Sequence, residues 1–91
     1  MCLFYISWTG AEQDDLFEGQ GIWAVNQLHK YAASIGAEHE YIYLDYADET
    51  QDPLGSYGPE NVAKMRAAAA KYDPTGVFQT MVPGGFKISK V

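Results

Sequence analysis

Cysteine is nearly absent from this sequence, with Cys2 the only thiol in 91 residues. That excludes an internal disulfide and any zinc site built on cysteine pairs. Beside Leu3 and Phe4, Cys2 is expected to be a buried small hydrophobe, because a reactive thiol needs electropositive surroundings. Basic residues are also scarce. Six Lys and Arg stand singly against twelve Asp and Glu, giving a formal net charge of −6. Nucleic acid is excluded as a partner, since phosphate contacts need clustered cations. No apolar run approaches the roughly 20 residues of a membrane span, so no membrane partner is expected. Met1 leads into an apolar segment without a basic lead or cleavage site, and the expected location is cytoplasmic. His29 and His39 are the only imidazoles, and neither has a second His or Cys at ligand spacing. Asp48, Glu49 and Asp52 lack the alternating oxygen ligands and central glycine of a calcium loop and read as turn residues. No metal is expected. There is no nucleophile elbow, no internal repeat and no low-complexity linker.

Hydrophobic residues, at 47% of the chain, are plentiful enough for a globular domain. A chain this short buries only roughly 60% of its unfolded surface, so small domains often recruit a partner. Residues 1–91 read as a single domain. Cys2 to Trp8 are rich in aromatic and β-branched residues and stop at Thr9-Gly10, which predicts a strand. Asp14 or Asp15 then caps a helix on which Phe17, Gly21, Ala24, Leu28, Tyr31 and Ile35 form one apolar face. Gly36 supplies its left-handed stop. A second strand is expected over Tyr41 to Tyr46, and a long loop over Ala47 to Gly58. Pro59 opens a second helix, with Val62, Met65, Ala69 and Tyr72 facing inward, and Asp73-Pro74 ends it. Val77 to Val91, broken by Pro83-Gly84-Gly85, reads as an extended, irregular apolar tail. The expected fold class is α+β: a small antiparallel sheet with two helices packed on one face. Its open edges and face are to be covered in a homodimer, with Val77, Phe78, Met81, Val82 and Phe86 embracing the partner.

Gly19-Gln-Gly21-Ile-Trp-Ala24 has the spacing of a dinucleotide fingerprint. That mechanism needs a strand before the first glycine, whereas here Asp14 to Glu18 precede it on a helix. The glycines read instead as places where another element approaches closely. Seven Tyr and two Trp make a high aromatic load, and Trp23, Tyr31 and Tyr72 are expected in the core. Strand alternation puts Tyr41, Tyr43 and Asp45 on one face, which is either solvated or lines a cavity. If it lines a cavity, Asp45 is the candidate base or anchor, with a pKa raised by burial among aromatic rings. Tyr43 or Tyr41 would donate to a developing oxyanion. His39, between Glu38 and Glu40, is an outside candidate for proton transfer. Trp8, Phe4 and Tyr46 are candidates for the wall of a site taking a hydrophobic small molecule, although Trp8 and Phe4 could equally be core.

Three segments carry a resemblance. They are Tyr41-Ile42-Tyr43-Leu44-Asp45-Tyr46-Ala47-Asp48, then Gln51-Asp52-Pro53-Leu54 with Ser56-Tyr57-Gly58, then Tyr72-Asp73-Pro74-Thr75-Gly76-Val77-Phe78-Gln79. In this order and spacing they resemble the carboxyl-terminal region of fungal berberine bridge enzyme-like FAD-linked oxidases, nearly end to end. The resemblance implies the end of a substrate-binding domain whose second strand borders the active site. In that family an upstream domain holds the flavin, and nothing here corresponds to it. FAD is therefore not expected on this chain, and no other cofactor is. Asp45 stands where that family usually has an Asn close to the flavin ring. Three function classes follow. The leading one is a free-standing, flavin-free isomerase, cyclase or dehydratase acting on a natural-product intermediate. The others are a subunit or fragment that completes a separate flavoprotein chain, and a non-catalytic binding module.

Overall fold

Asp14 and Asp15 place negative charge at the start of the longest element, where the helix dipole favours it. Helix α1 runs over Asp14–Ser34 in a computed structural model that describes residues 3–91. Cys2, and the reading of it as buried, lies outside the described residues. The cap expected at Asp14 or Asp15 does not form: Gln13 holds the N-cap position with no side-chain cap, and the Asp14 carboxylate accepts the Trp8 indole N–H at 2.7 Å. The Trp8 ring also stacks on Phe17, with centroids 5.4 Å apart. Those two contacts pin the segment before α1 onto its first turns. At the other end Gly36 takes a φ of 68°. Its N–H reaches Ala33 O and the Ala37 N–H reaches Ala32 O, at 3.1 and 2.9 Å. This pair of bonds is the Schellman stop that the sequence predicts.

The chain divides into two units, one ending at His39 and the other covering Glu40–Val91. In the second, Gly58 at φ 82° and Pro59 begin helix α2, Pro59–Tyr72. Proline suits this place because its missing N–H would have no intrahelical partner there. Asp73 ends α2, and after Gly76 in the left-handed region comes helix α3, Val77–Thr80. The Asp73 carboxylate receives the Val77 and Phe78 N–H groups at 2.7 and 2.9 Å. Short 3₁₀ turns occupy Ala11–Gln13, Leu44–Tyr46, Gly55–Tyr57 and Ile88–Lys90. Helix α2 packs against the turns Gly55–Tyr57 and Ile88–Lys90.

The expected α+β fold is not what forms. Helical segments hold 57% of the structure, and no strand or sheet exists among the described residues. The β-rich run through Trp8 and the run Tyr41 to Tyr46 have the composition of strands, but a strand needs a partner to complete its ladder. Neither finds one. Leu44–Tyr46 instead closes into a 3₁₀ turn through bonds from Tyr46 N to Tyr43 O and from Ala47 N to Leu44 O. The irregular tail is likewise corrected, since it contains α3 and the turn Ile88–Lys90, tied by Ser89 N–H to Gln79 Oε1 at 3.2 Å.

Burial is slight. Val62, 7% exposed, is the only buried hydrophobic side chain among the described residues apart from Pro53, which is fully enclosed. Met65 and Ala69 are half-buried as expected of the inner face of α2. Tyr72 is not: it is 76% exposed, with the Lys71 ammonium 5.0 Å from its ring centre. Trp23 and Tyr31 on α1, expected in the core, are 60% and 65% exposed. Leu16 and Leu28 on α1, Ile35 just after its end, and Val77, Phe78, Met81 and Val82 around α3 are exposed as well. An apolar periodicity records that a face is covered somewhere, and does not record by what.

Candidate functional site

The tyrosine-rich segment after Glu40 is shaped by a relay through one hydroxyl. The Ile42 N–H donates to Ser56 Oγ at 3.0 Å, and Ser56 Oγ–H donates to the carbonyl of the enclosed Pro53 at 2.6 Å. This fastens residues 41–46 beside the turn Gly55–Tyr57. The intervening loop is shaped by its own acids. Asp48 Oδ1 accepts from the Thr50 N–H and hydroxyl, at 2.9 and 2.6 Å, and Asp52 Oδ1 accepts the Gly55 N–H at 2.9 Å. The two bonds from Thr50, the hydroxyl first, favour the ionised form of Asp48 and lower its pKa.

Four phenols and one carboxylate gather on this scaffold. The Tyr43 hydroxyl donates to Asp45 Oδ2 at 2.8 Å. The Tyr43 ring meets Tyr46 edge-on, with centroids 5.3 Å apart. Tyr41 and Tyr57 form a second edge-on pair, also 5.3 Å apart at 86°, with their hydroxyl oxygens 3.5 Å apart. Both geometries are ones that aromatic quadrupoles favour. The hydrogen bond to Asp45, then the charge of that carboxylate, raise the Tyr43 pKa. The Tyr41 pKa is also raised, first by the hydroxyl contact with Tyr57.

The second unit thus brings Tyr41, Tyr43, Asp45 and Tyr46 together, although by a turn and not by strand alternation. His39, Trp8 and Phe4 belong to the first unit. Trp8 is occupied there with Asp14 and Phe17, Phe4 is exposed, and so is His39. The burial proposed for Asp45 is not realised in this chain, where the residue is exposed. Tyr57 and Ser56 are functional candidates that the sequence reading passed over. Their signal lay in the segment Ser56-Tyr57-Gly58, which was read as loop.

Over nearly its whole length the chain is similar to proteins several times longer. It is 51% identical over 89 residues to the FAD-dependent monooxygenase drtC of Aspergillus calidoustus, covering 98% of this chain and 17% of that protein. The chain is homologous to one segment of fungal FAD-dependent monooxygenases. The FAD-dependent monooxygenase sdcF of Emericella nidulans is 50% identical over 84 residues, 92% of this chain and 18% of that protein. The FAD-dependent monooxygenase tpcD of Cochliobolus heterostrophus is 42% identical over 90 residues, 98% and 17% respectively. The chain therefore spans about 17% of the length of the curated relatives it matches. No family model matches it, and no solved structure does.

FAD is the cofactor those names carry, and the one phosphate-binding motif here does not fit it. Gly19 and Gly21 lie inside the continuous helix α1, so no strand-to-helix turn presents backbone N–H groups to a pyrophosphate. A side-chain carbon on Gly21 would meet Ile6 Cδ1 at an ordinary 3.6 Å, and one on Gly19 would meet open space. Close approach explains Gly21 in part and Gly19 not at all. No helix among the described residues is long and apolar enough to cross a membrane.

Proposed function

We propose that this chain is the carboxyl-terminal segment of a berberine-bridge-type FAD-linked oxidase. Its role is to complete the substrate cavity of that flavoprotein, within one polypeptide or as a separate subunit. One observation carries the reading. Nearly all of the chain aligns with about one sixth of drtC and of sdcF, and large apolar side chains on α1 and around α3 stand exposed, as they would where the other five sixths pack. The order of the three sequence segments quoted above supports the finer family assignment.

In this reading Tyr41, Tyr43 and Asp45 face a hydrophobic small molecule, with Tyr46 as wall. Asp45 orients the Tyr43 hydroxyl and accepts its proton in the hydrogen bond. A ligand hydroxyl or carbonyl entering the cluster meets phenol donors and a carboxylate acceptor on adjacent residues. Flavin phosphates are bound elsewhere in the complete protein, since α1 offers no cradle for them. Free-standing isomerase, cyclase or dehydratase chemistry would require Asp45 to be shielded from water so that it could serve as a base near neutral pH. Its exposure in the chain alone is why completion of a flavoprotein is preferred.

The test is complementation. The FAD-dependent monooxygenase drtC lacking its matching segment is mixed with this chain, and FAD retention, co-elution and Trp emission are measured. The expected result is a stable complex in which the Trp emission shifts to the blue. A chain that stays separate from the truncated enzyme and scatters light as a homodimer would overturn the reading and favour a free-standing module.

A further inference from the structure

We propose that Leu16, Gly19, Gln20 and Trp23 frame a hole on α1 that receives one apolar side chain of a helix from the rest of the flavoprotein. That helix carries Lys or Arg beside the inserted side chain. The inference rests on the reading that this chain completes such a protein, and it names the surface and the kind of element that meets it. The four residues stand at i, i+3, i+4 and i+7 of the continuous helix Asp14–Ser34, the positions that frame a hole for the knob of a facing helix. Leu16 and Trp23 are its two ends, 58% and 60% exposed. Gly19 is its floor. It is exposed, and a side-chain carbon there would meet nothing within 4 Å.

A glycine inside a helix is destabilising relative to alanine, so its place there calls for a reason. Gly21 has one within the chain, since Ile6 Cδ1 would lie 3.6 Å from its added carbon. Gly19, two residues earlier, lies on the opposite side of α1 and has no such neighbour among the described residues. With no side chain at 19, a facing backbone can come close and its side chain can sit between Leu16 and Trp23. Two observations identify the occupant. This chain covers 17% of drtC, so most of a homologous polypeptide lies outside it and can supply a helix. Charge disfavours a second copy. Asp15 lies one turn before Gly19, Glu12 one turn before Leu16, and the nearest Lys or Arg after them on α1 is Lys30, two turns beyond Trp23. Two copies meeting through this hole would bring like charges together, whereas a cation beside the knob of another helix would meet them favourably.

The experiment measures the Kd of the whole chain for truncated drtC by calorimetric titration, and records the thermal midpoint of the free chain for each variant. Gly19→Ala should raise that midpoint, because the position is open and alanine is the better helix former. The same substitution should weaken binding several-fold, so stability and affinity move in opposite directions. Gly19→Leu fills the hole and should weaken binding roughly 5- to 150-fold, the cost of overpacking a fitted contact. Glu18→Leu adds the same bulk on the other side of α1 and should leave Kd unchanged. Asp15→Lys should weaken binding, and added salt should shrink that effect. An unchanged Kd in Gly19→Leu, or an equal loss in Glu18→Leu, overturns the proposal while the flavoprotein reading stands. If Gly19→Leu does not fold, Gly19→Ala decides, since a raised midpoint with unchanged Kd overturns the proposal as well. An unsubstituted chain that does not bind truncated drtC overturns both. Sedimentation of the chain alone supplies the last arm: self-association abolished by Gly19→Leu would give the hole to a second copy and overturn the proposal.

Discussion

Replacing Trp23 by Ala distinguishes an interface residue from a core residue, because the two predict opposite results. Trp23 is 60% exposed on α1. An aromatic side chain of this size buries up to about 250 Å², so covering its exposed part removes roughly 150 Å² from water. At about 25 cal/mol per Å² that contributes ~4 kcal/mol to association. Immobilising the side chain returns about 0.5–1.5 kcal/mol, which leaves ~2–3 kcal/mol, or about 30- to 160-fold in Kd. Calorimetric titration of the truncated flavoprotein with the substituted chain should show that loss. The thermal midpoint of the isolated chain should barely move, because substitutions at exposed positions usually stay within about 0.5 kcal/mol. A large fall in the midpoint with unchanged affinity would place Trp23 in a core of this chain and refute the reasoning.

Three further outcomes follow from the second unit. Asp73→Ala removes the acceptor for two N–H groups at the start of α3 and should cost about 1–2 kcal/mol, read by chemical denaturation; Asp73→Asn should recover part of it. Asp45→Asn removes the charge beside the Tyr43 hydroxyl and leaves it only a neutral amide oxygen as acceptor, so the Tyr43 midpoint should fall toward the ordinary phenol value in an alkaline titration. An unmoved midpoint would mean the 2.8 Å bond is not formed in solution. The folded-state pKa of Asp48 is lowered by its bonds to Thr50. The resulting stabilisation is present above the unfolded carboxylate range and is lost as pH falls through the folded value. Thr50→Val should flatten that acid limb, measured as amide exchange of residues 48–51 against pH.

What could be read in the sequence was local. Gly36 stops α1 and Pro59 starts α2 because a left-handed φ and a missing N–H are properties of single residues, whatever surrounds them. Asp48 and Asp52 were legible as turn formers for the same reason, their carboxylates reaching N–H groups two and three residues on. The strands were not legible, because β composition describes a fit to a neighbouring strand and that neighbour must exist for the pattern to be used. Tyr41, Tyr43 and Asp45 were chosen on strand alternation. Tyr43 and Asp45 do meet, but the 3₁₀ turn that joins them is a two-residue coincidence that period-2 reasoning does not contain. Tyr57 was missed because its link to Tyr41 spans 16 positions and runs through a serine hydroxyl in an apparent loop.

The exposed face of α1 has a colloidal consequence for a chain with a net charge of −6. Apolar side chains such as Trp23, Tyr31 and Ile35 attract like surfaces at contact, while the like charges of two chains repel at longer range. At about 0.01 M salt the screening length is roughly 30 Å, so two copies repel before their apolar faces touch. At about 0.15 M it shrinks to roughly 8 Å, and the faces can meet. Sedimentation across a salt series will show self-association rising with salt, and the onset should move to higher salt when Lys64 or Arg66 is replaced by Glu.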